Sequence, residues 1–173
     1  MTKLEIITMP DPILRKTSES VTHVSSDLLV LLDDMLETMY RASGIGLAGI
    51  QVAVPKRVLV VDVSDHEKEC PSPICMINPE ILYFSERKGV YEEGCLSLPE
   101  TRVEIERPSE ITVSYIDRDE SVRELTTSGL LSTVIQHEIN HLDGKLIIDY
   151  LSSLKRDIVI RRLKKMARAR EDF

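Results

Sequence analysis

At 173 residues the chain is long enough for one domain with a substantial buried core. Its 42% hydrophobic and 29% charged residues are those of an ordinary globular protein, and no run approaches a membrane span, so no membrane partner is expected. The net charge of −7 is uneven: residues 155–173 hold eight Lys/Arg against three Asp/Glu (+5), and the rest hold 14 against 26 (−12).

The polar start, Met1 to Glu5, does not resemble a secretion signal. Three cysteines are too few for a disulfide framework and point to a reducing compartment, so a cytoplasmic protein is expected. Residues 9–15 are turn-rich and should wrap the surface. Ser25 or Ser26 then caps a helix to about Arg41, whose Leu28, Leu32, Met35 and Met39 recur at helical spacing and read as core. The next stretch, 44–51, has three glycines in six residues, as suits a segment that something approaches closely. It lacks the Gly-Lys-Ser/Thr ending of a phosphate loop. Gln51, at its end, is either a surface or turn residue or an amide donor aimed into a site.

Residues 57–63 read as a buried strand and 64–73 as an exposed loop. His66 and Cys70 in that loop, with Cys75, form a rival metal set, but the spacing lacks C-x-x-C. Cys95 stands between Gly94 and Leu96; taken alone it reads as a small buried side chain. Residues 76–83, 102–105 and 111–116 are further strands, with 117–120 a hairpin turn.

The segment Gln136-His137-Glu138-Ile139-Asn140-His141 contains H-E-x-x-H. On a helix at about 100° per residue, His141 lies about 40° around from His137 and one turn along, so both imidazoles can reach one metal ion. Glu138 sits on the flank, within reach of a water held by such an ion. Leu130 and Val134 continue the histidine stripe; Thr127 or Ser128 could cap the helix, and Gly144 stops it. The competing reading is two core-facing histidines with a surface glutamate between them. Beyond it, 154–170 reads as an amphipathic helix with Leu154, Ile158, Leu163 and Met166 apolar, either a solvated face or a surface for an anionic partner. One helix, several strands and two more helices make the chain α+β.

A third ligand is not supplied downstream. Ile147 occupies the position where one group of H-E-x-x-H peptidases has a third histidine, and Glu171, the one downstream glutamate, lies next to the C-terminus. Upstream, Cys95 completes a two-His, one-Cys set that leaves a position open for water.

With these segments in order, the chain resembles the bacterial peptide deformylases. The resemblance rests on residues 44–51, on Glu93-Gly94-Cys95-Leu96-Ser97 and on 136–141, and it extends over nearly the whole chain. Gly49 and Asn140 depart from it, standing where alanine is usual and aspartate is common. The resemblance implies a single catalytic domain over 1–173, with antiparallel strands packed around a central helix carrying H-E-x-x-H, an N-terminal helix and a basic C-terminal helix. It implies removal of the formyl group from N-terminal formyl-methionine of nascent peptides. Cys95, His137 and His141 would hold ferrous iron (Fe2+), although the same ligands take Zn2+, Ni2+ or Co2+, and ligand chemistry alone favours zinc. Glu138 would carry the proton, and Gln51 with the Leu96 N–H would meet the oxyanion. Ile45, Leu130 and Val134 would line the methionine pocket, Gly46 would pair with substrate backbone, and Arg102 would lie along the peptide's exit path. The tail helix would dock on the ribosome near its exit, with no sequence-specific nucleic-acid partner. A zinc peptidase and an inactive ribosome-associated module are the rival readings.

Overall fold

A computed structural model describes residues 4–65 and 70–171. Helix α1 (Ser26–Arg41) starts where expected: Ser25 is its N-cap, and its hydroxyl accepts from the Leu28 N–H at 3.2 Å. Strands β1 (Gly46–Ala48), β2 (Val58–Val61), β3 (Ile74–Phe84), β6 (Glu110–Ile116) and β7 (Val122–Ser128) form one sheet in the order β1-β2-β3-β6-β7. Strands β4 (Lys88–Cys95) and β5 (Leu98–Pro108) pair as a separate hairpin, and all pairings between these seven strands are antiparallel.

Helix α2 (Gly129–Leu142), which carries H-E-x-x-H, packs on one face of the larger sheet. Its Val134, Ile135, Ile139 and Leu142 join Ala48, Leu59, Val61 and Met76 in one core cluster. Leu47, Val58, Val60 and Ile77 point the other way and join α1. All four β2 residues are therefore buried, because both faces of that strand are covered. The fold is α+β, as expected, with α2 between the sheet and the hairpin that carries Cys95. Three strands went unread in the sequence. Segment β1 is three residues long, β4 contains two glycines and two glutamates, and β7 is mostly exposed and polar, so none shows an apolar pattern. The turn after β6 is where it was expected, with Glu120 N–H donating to the Asp117 carbonyl.

Two helix details differ from the sequence reading. Ser128 sits at the N-cap of α2, but its side chain accepts no amide; the start is set by Gly129 at φ +66° and by Thr133, whose hydroxyl donates to the Gly129 carbonyl. Gly144, at φ +72°, ends the helix as expected. Helix α3 (Ser153–Glu171) buries Leu163 to 1% exposure, with Val159, Ile160 and Met166 packed beside it, while Leu154 (68%) and Ile158 (54%) face outward. Helix geometry explains the split: nine residues on, Leu163 lies about 180° from Leu154, so the four apolar positions never shared one face.

His66 lies outside the described residues. Cys70 is exposed and Cys75 buried. Among the described residues no helix is long and apolar enough to cross a membrane.

Candidate metal centre and cleft

The inward face of α2 brings His137 and His141 together, their Nε2 atoms 3.2 Å apart and both rings buried. Cys95 is the last residue of β4, before the two-residue turn Leu96–Ser97 into β5. The ladder shifts register there: Gly94 faces Arg102, but Cys95 faces Leu98. This places Cys95 Sγ 3.2 Å from His141 Nε2. Among the described residues, Cys95, His137 and His141 form a set whose ligand atoms all lie within 4.8 Å of one another.

These donors fit a metal ion. A thiol and two imidazoles are the set that borderline divalent ions take, with a fourth position left open. The Glu93 carboxylate accepts from His137 Nδ1 at 2.9 Å, which fixes the ring with Nε2 toward His141 and Cys95. Beside them, Glu138 Oε2 is buried and makes no hydrogen bond among the described residues. An unpartnered buried carboxylate oxygen is costly unless a ligand or water meets it.

Burial opposes charge on His137, yet the hydrogen bonds to Cys95 and Glu93 outweigh it and hold this imidazole well above its ordinary value. Burial pushes His141 well below its own. It also opposes the Glu93 carboxylate, but the hydrogen bonds from His137 and Arg107 keep it below the usual range. Glu138 moves the other way: burial, reinforced by the charge of Glu93, raises it to about 7. A carboxyl raised on folding contributes stability that is full below its unfolded value of 4.5 and is lost as pH rises through about 7. Glu138→Gln should therefore stabilise the metal-free protein above pH 7, by on the order of 3 kcal/mol, and have little effect near pH 4. Denaturant unfolding with chelator at both pH values checks this, and equal differences at the two would contradict it.

The centre opens into a cleft of about 480 Å³. Gln51, Leu96, Ile45, Gly46, Arg102, Leu130 and Val134 all line it, together with Cys95, His137 and Glu138. Gln51 is buried in the 3-10 turn Gly49–Val52; its Oε1 accepts from the Ala48 N–H at 2.8 Å, and its Nε2 donates to Ser97 Oγ at 3.1 Å and approaches Cys95 Sγ at 3.7 Å. Ile45 and Leu130 are exposed apolar side chains and Val134 lies deeper. Arg102 lies over Gly94, where an added Cβ would come 2.9 Å from its guanidinium. The departure at Gly49 has a local reason, since a Cβ there would come 2.9 Å from the Val54 carbonyl oxygen.

Gly46 admits no side chain either: a Cβ would overlap Glu138 Oε1 and come 2.8 Å from Val134 Cγ1. Gly46→Ala should keep the metal yet lower turnover by about 10²-fold, the effect of misplacing a reacting group by an ångström. Unchanged turnover in a formate-release assay would refute the close approach.

Sequence reasoning missed Glu93 and Arg107 as supports of the centre, and Tyr91 as a cleft wall. A signal existed for Glu93: it stands two residues before Cys95, and alternate residues of a strand share a face.

The class such a centre fits is a metal-dependent hydrolase. Comparison with known proteins narrows it. The sequence model of the family described as polypeptide deformylase matches residues 3–157. The chain is 52% identical over 170 residues to a peptide deformylase of Rhizobium meliloti, covering 98% of this chain and 97% of that one. The crystal structure of peptide deformylase from Ehrlichia chaffeensis superposes with a TM-score of 0.91 at 40% identity, covering 97% of this chain and 98% of that one. A structure of the Ehrlichia chaffeensis enzyme in complex with actinonin matches equally, at 0.91 and 41% identity over 96% of this chain and 98% of that one. The chain belongs to the polypeptide deformylase family. It is a metal-dependent hydrolase that removes the formyl group from the N-terminal formyl-methionine of newly made polypeptides and releases formate.

Proposed function

We propose that Cys95, His137 and His141 hold the metal of this reaction and that Glu138 is its proton carrier. The observation that carries this reading is the convergence of the three ligand atoms within 4.8 Å beside the unpartnered oxygen of Glu138. When bound, the ion would acidify a water and polarise the formyl oxygen. Glu138 takes the water's proton and delivers it to the leaving amine nitrogen. Gln51, anchored through Oε1 and by Ser97, presents the N–H on the Cys95 side of its Nε2 to the oxygen that gains charge, and the Leu96 N–H is the second donor.

Selectivity follows from crowding. Val134 and Glu138 leave no room beside Gly46 even for a Cβ, so a formyl carbon, which bears only hydrogen, enters where the bulkier internal peptide carbonyl does not. Ile45, Leu130 and Val134 receive the methionine side chain, Gly46 pairs with the substrate backbone, and Arg102 flanks the exiting peptide. The resident ion proposed is ferrous iron, with zinc, nickel and cobalt able to replace it at the same ligands. Residues 1–173 act as one catalytic domain in the cytoplasm. Formate release from a formyl-Met peptide by anaerobically purified protein tests the reading. Cleavage of the unformylated peptide instead would favour a peptidase.

The basic helix α3 is proposed to dock at the ribosomal exit. Lys155, Lys164, Lys165 and Arg168 are exposed, and so are Leu154 and Ile158. Truncation would remove the buried Leu163, so neutralising those four cations to Gln is the cleaner test. Activity on short formyl peptides should persist, while co-sedimentation with ribosomes falls and loses part of its salt dependence. Undiminished co-sedimentation would make α3 a solvated helix.

A further inference from the structure

Behind the cleft a chain of polar contacts runs from His137 toward the protein surface. Glu93, which accepts from His137 Nδ1, is gripped in a fork by Arg107: Nε to Oε1 at 2.6 Å and Nη2 to Oε2 at 3.0 Å. Both side chains are almost wholly buried. The remaining nitrogen of Arg107, Nη1, turns away and donates to Asn140 Oδ1 at 2.8 Å and to the Tyr150 hydroxyl oxygen at 3.2 Å. The Tyr150 hydroxyl donates in turn to the same Asn140 Oδ1 at 3.0 Å, and the Tyr150 ring lies 5.1 Å from the guanidinium carbon. Tyr150 is 47% exposed, so this chain of contacts ends in solvent.

The three-membered ring of Arg107, Asn140 and Tyr150 does what the carboxylate fork alone does not. A forked pair can still tilt about its two hydrogen bonds; contacts on the third nitrogen stop the guanidinium plane from rotating. Asn140 is a neutral acceptor, so it adds no charge beside the buried Glu93–Arg107 pair. We propose that Tyr150 and Asn140 are positioning residues for metal retention, holding Arg107 square on Glu93 and thereby His137 with Nε2 toward Cys95 and His141. The inference rests on the reading of those three residues as ligands. The competing role is structural, in which Tyr150 merely pins the 3-10 turn Ile147–Tyr150 to the body.

Two substitutions on that turn separate the roles. Tyr150→Phe removes the hydroxyl and keeps the ring over Arg107. Asp149→Asn weakens the turn through the Arg15 pair and the Leu146 N–H cap, without touching Arg107. Zinc affinity is measured by competition with a chromophoric chelator, alongside the visible spectrum of the cobalt form and the unfolding midpoint. Direct partners of metal-ligating histidines are worth roughly 10–100-fold in affinity, and Tyr150 and Asn140 act two contacts further out, so Tyr150→Phe should lose zinc affinity by about 3-fold and Asn140→Leu by about 10-fold. Asp149→Asn should lower the unfolding midpoint and bind zinc like the parent. The cobalt spectrum per bound ion should stay unchanged in Tyr150→Phe, because the ligands are the same. Parent-like zinc affinity in Tyr150→Phe, or an equal loss in Asp149→Asn, would overturn the proposal. A parent whose cobalt form lacks a thiolate absorption would instead overturn the ligand assignment beneath it.

Discussion

Glu138→Gln should retain the metal near the parent's content while turnover falls by at least the roughly 10²–10⁴-fold typical of losing a general acid–base group. The argument is one of size and partners. Gln fills the same space against Gly46 and Val134, and Glu138 Oε2 has no hydrogen bond among the described residues that its replacement would break. His137, His141 and Cys95 keep their mutual distances, so nothing that grips the ion changes. What disappears is the ability to take a proton and return it. The same variant should be the more stable metal-free protein above pH 7, since a buried carboxyl raised to about 7 is a strain on the fold once ionised. A protein made sturdier and inactive by one atom's exchange is what a site strained for function looks like. A metal-free or fully active Glu138→Gln would sink the proton-carrier assignment.

Loss of the ion is expected instead from Cys95→Ser and His141→Ala. Each removes one of the three proposed ligands, and the loss in metal affinity should exceed the roughly 10–100-fold that follows from disturbing a ligand's neighbours. Formate release should fall to background with it. Cys70→Ser and Cys75→Ser should keep the metal: Cys70 is exposed, and Cys75 is buried on β3 beside Arg118, 3.9 Å from its guanidinium. Bound metal per chain across the four variants decides the matter. Loss of metal in Cys70→Ser would reinstate the loop around His66 and Cys70 as the binding site.

The contrast between α2 and β4 shows what the sequence made legible. The pattern H-E-x-x-H has meaning on a helix alone, and a helix is a local structure, so both histidines and the flank position of Glu138 could be read before any fold. Cys95 was legible only by pairing it with that helix, and the support of His137 by Glu93 and Arg107 left one faint signal, the two-residue spacing from Glu93 to Cys95. That support depends on β4 pairing with β5, and β4 advertises no strand: its glycines and glutamates carry little β-propensity. Gln51 gave the signal of a polar residue ending a small apolar segment. Its anchoring by the Ala48 amide needed the 3-10 turn to be seen.

Helix α3 shows the opposite failure. Its apolar residues do not share one face, and the surface it packs against includes residues far away in sequence, Leu14, Leu98 and Val103 among them. Asn140 stood out as a departure, and its use became visible only once Arg107 and Tyr150 were found on either side of it.

The most direct test of the centre is X-ray absorption at the zinc edge of the zinc-loaded protein, repeated on Cys95→Ser. One sulfur at about 2.3 Å and two imidazole nitrogens at about 2.0–2.1 Å, with a light fourth ligand, are expected in the parent. The sulfur shell should vanish from whatever zinc Cys95→Ser retains. A shell of nitrogen and oxygen alone in the parent, or a sulfur that persists in Cys95→Ser, would contradict the account.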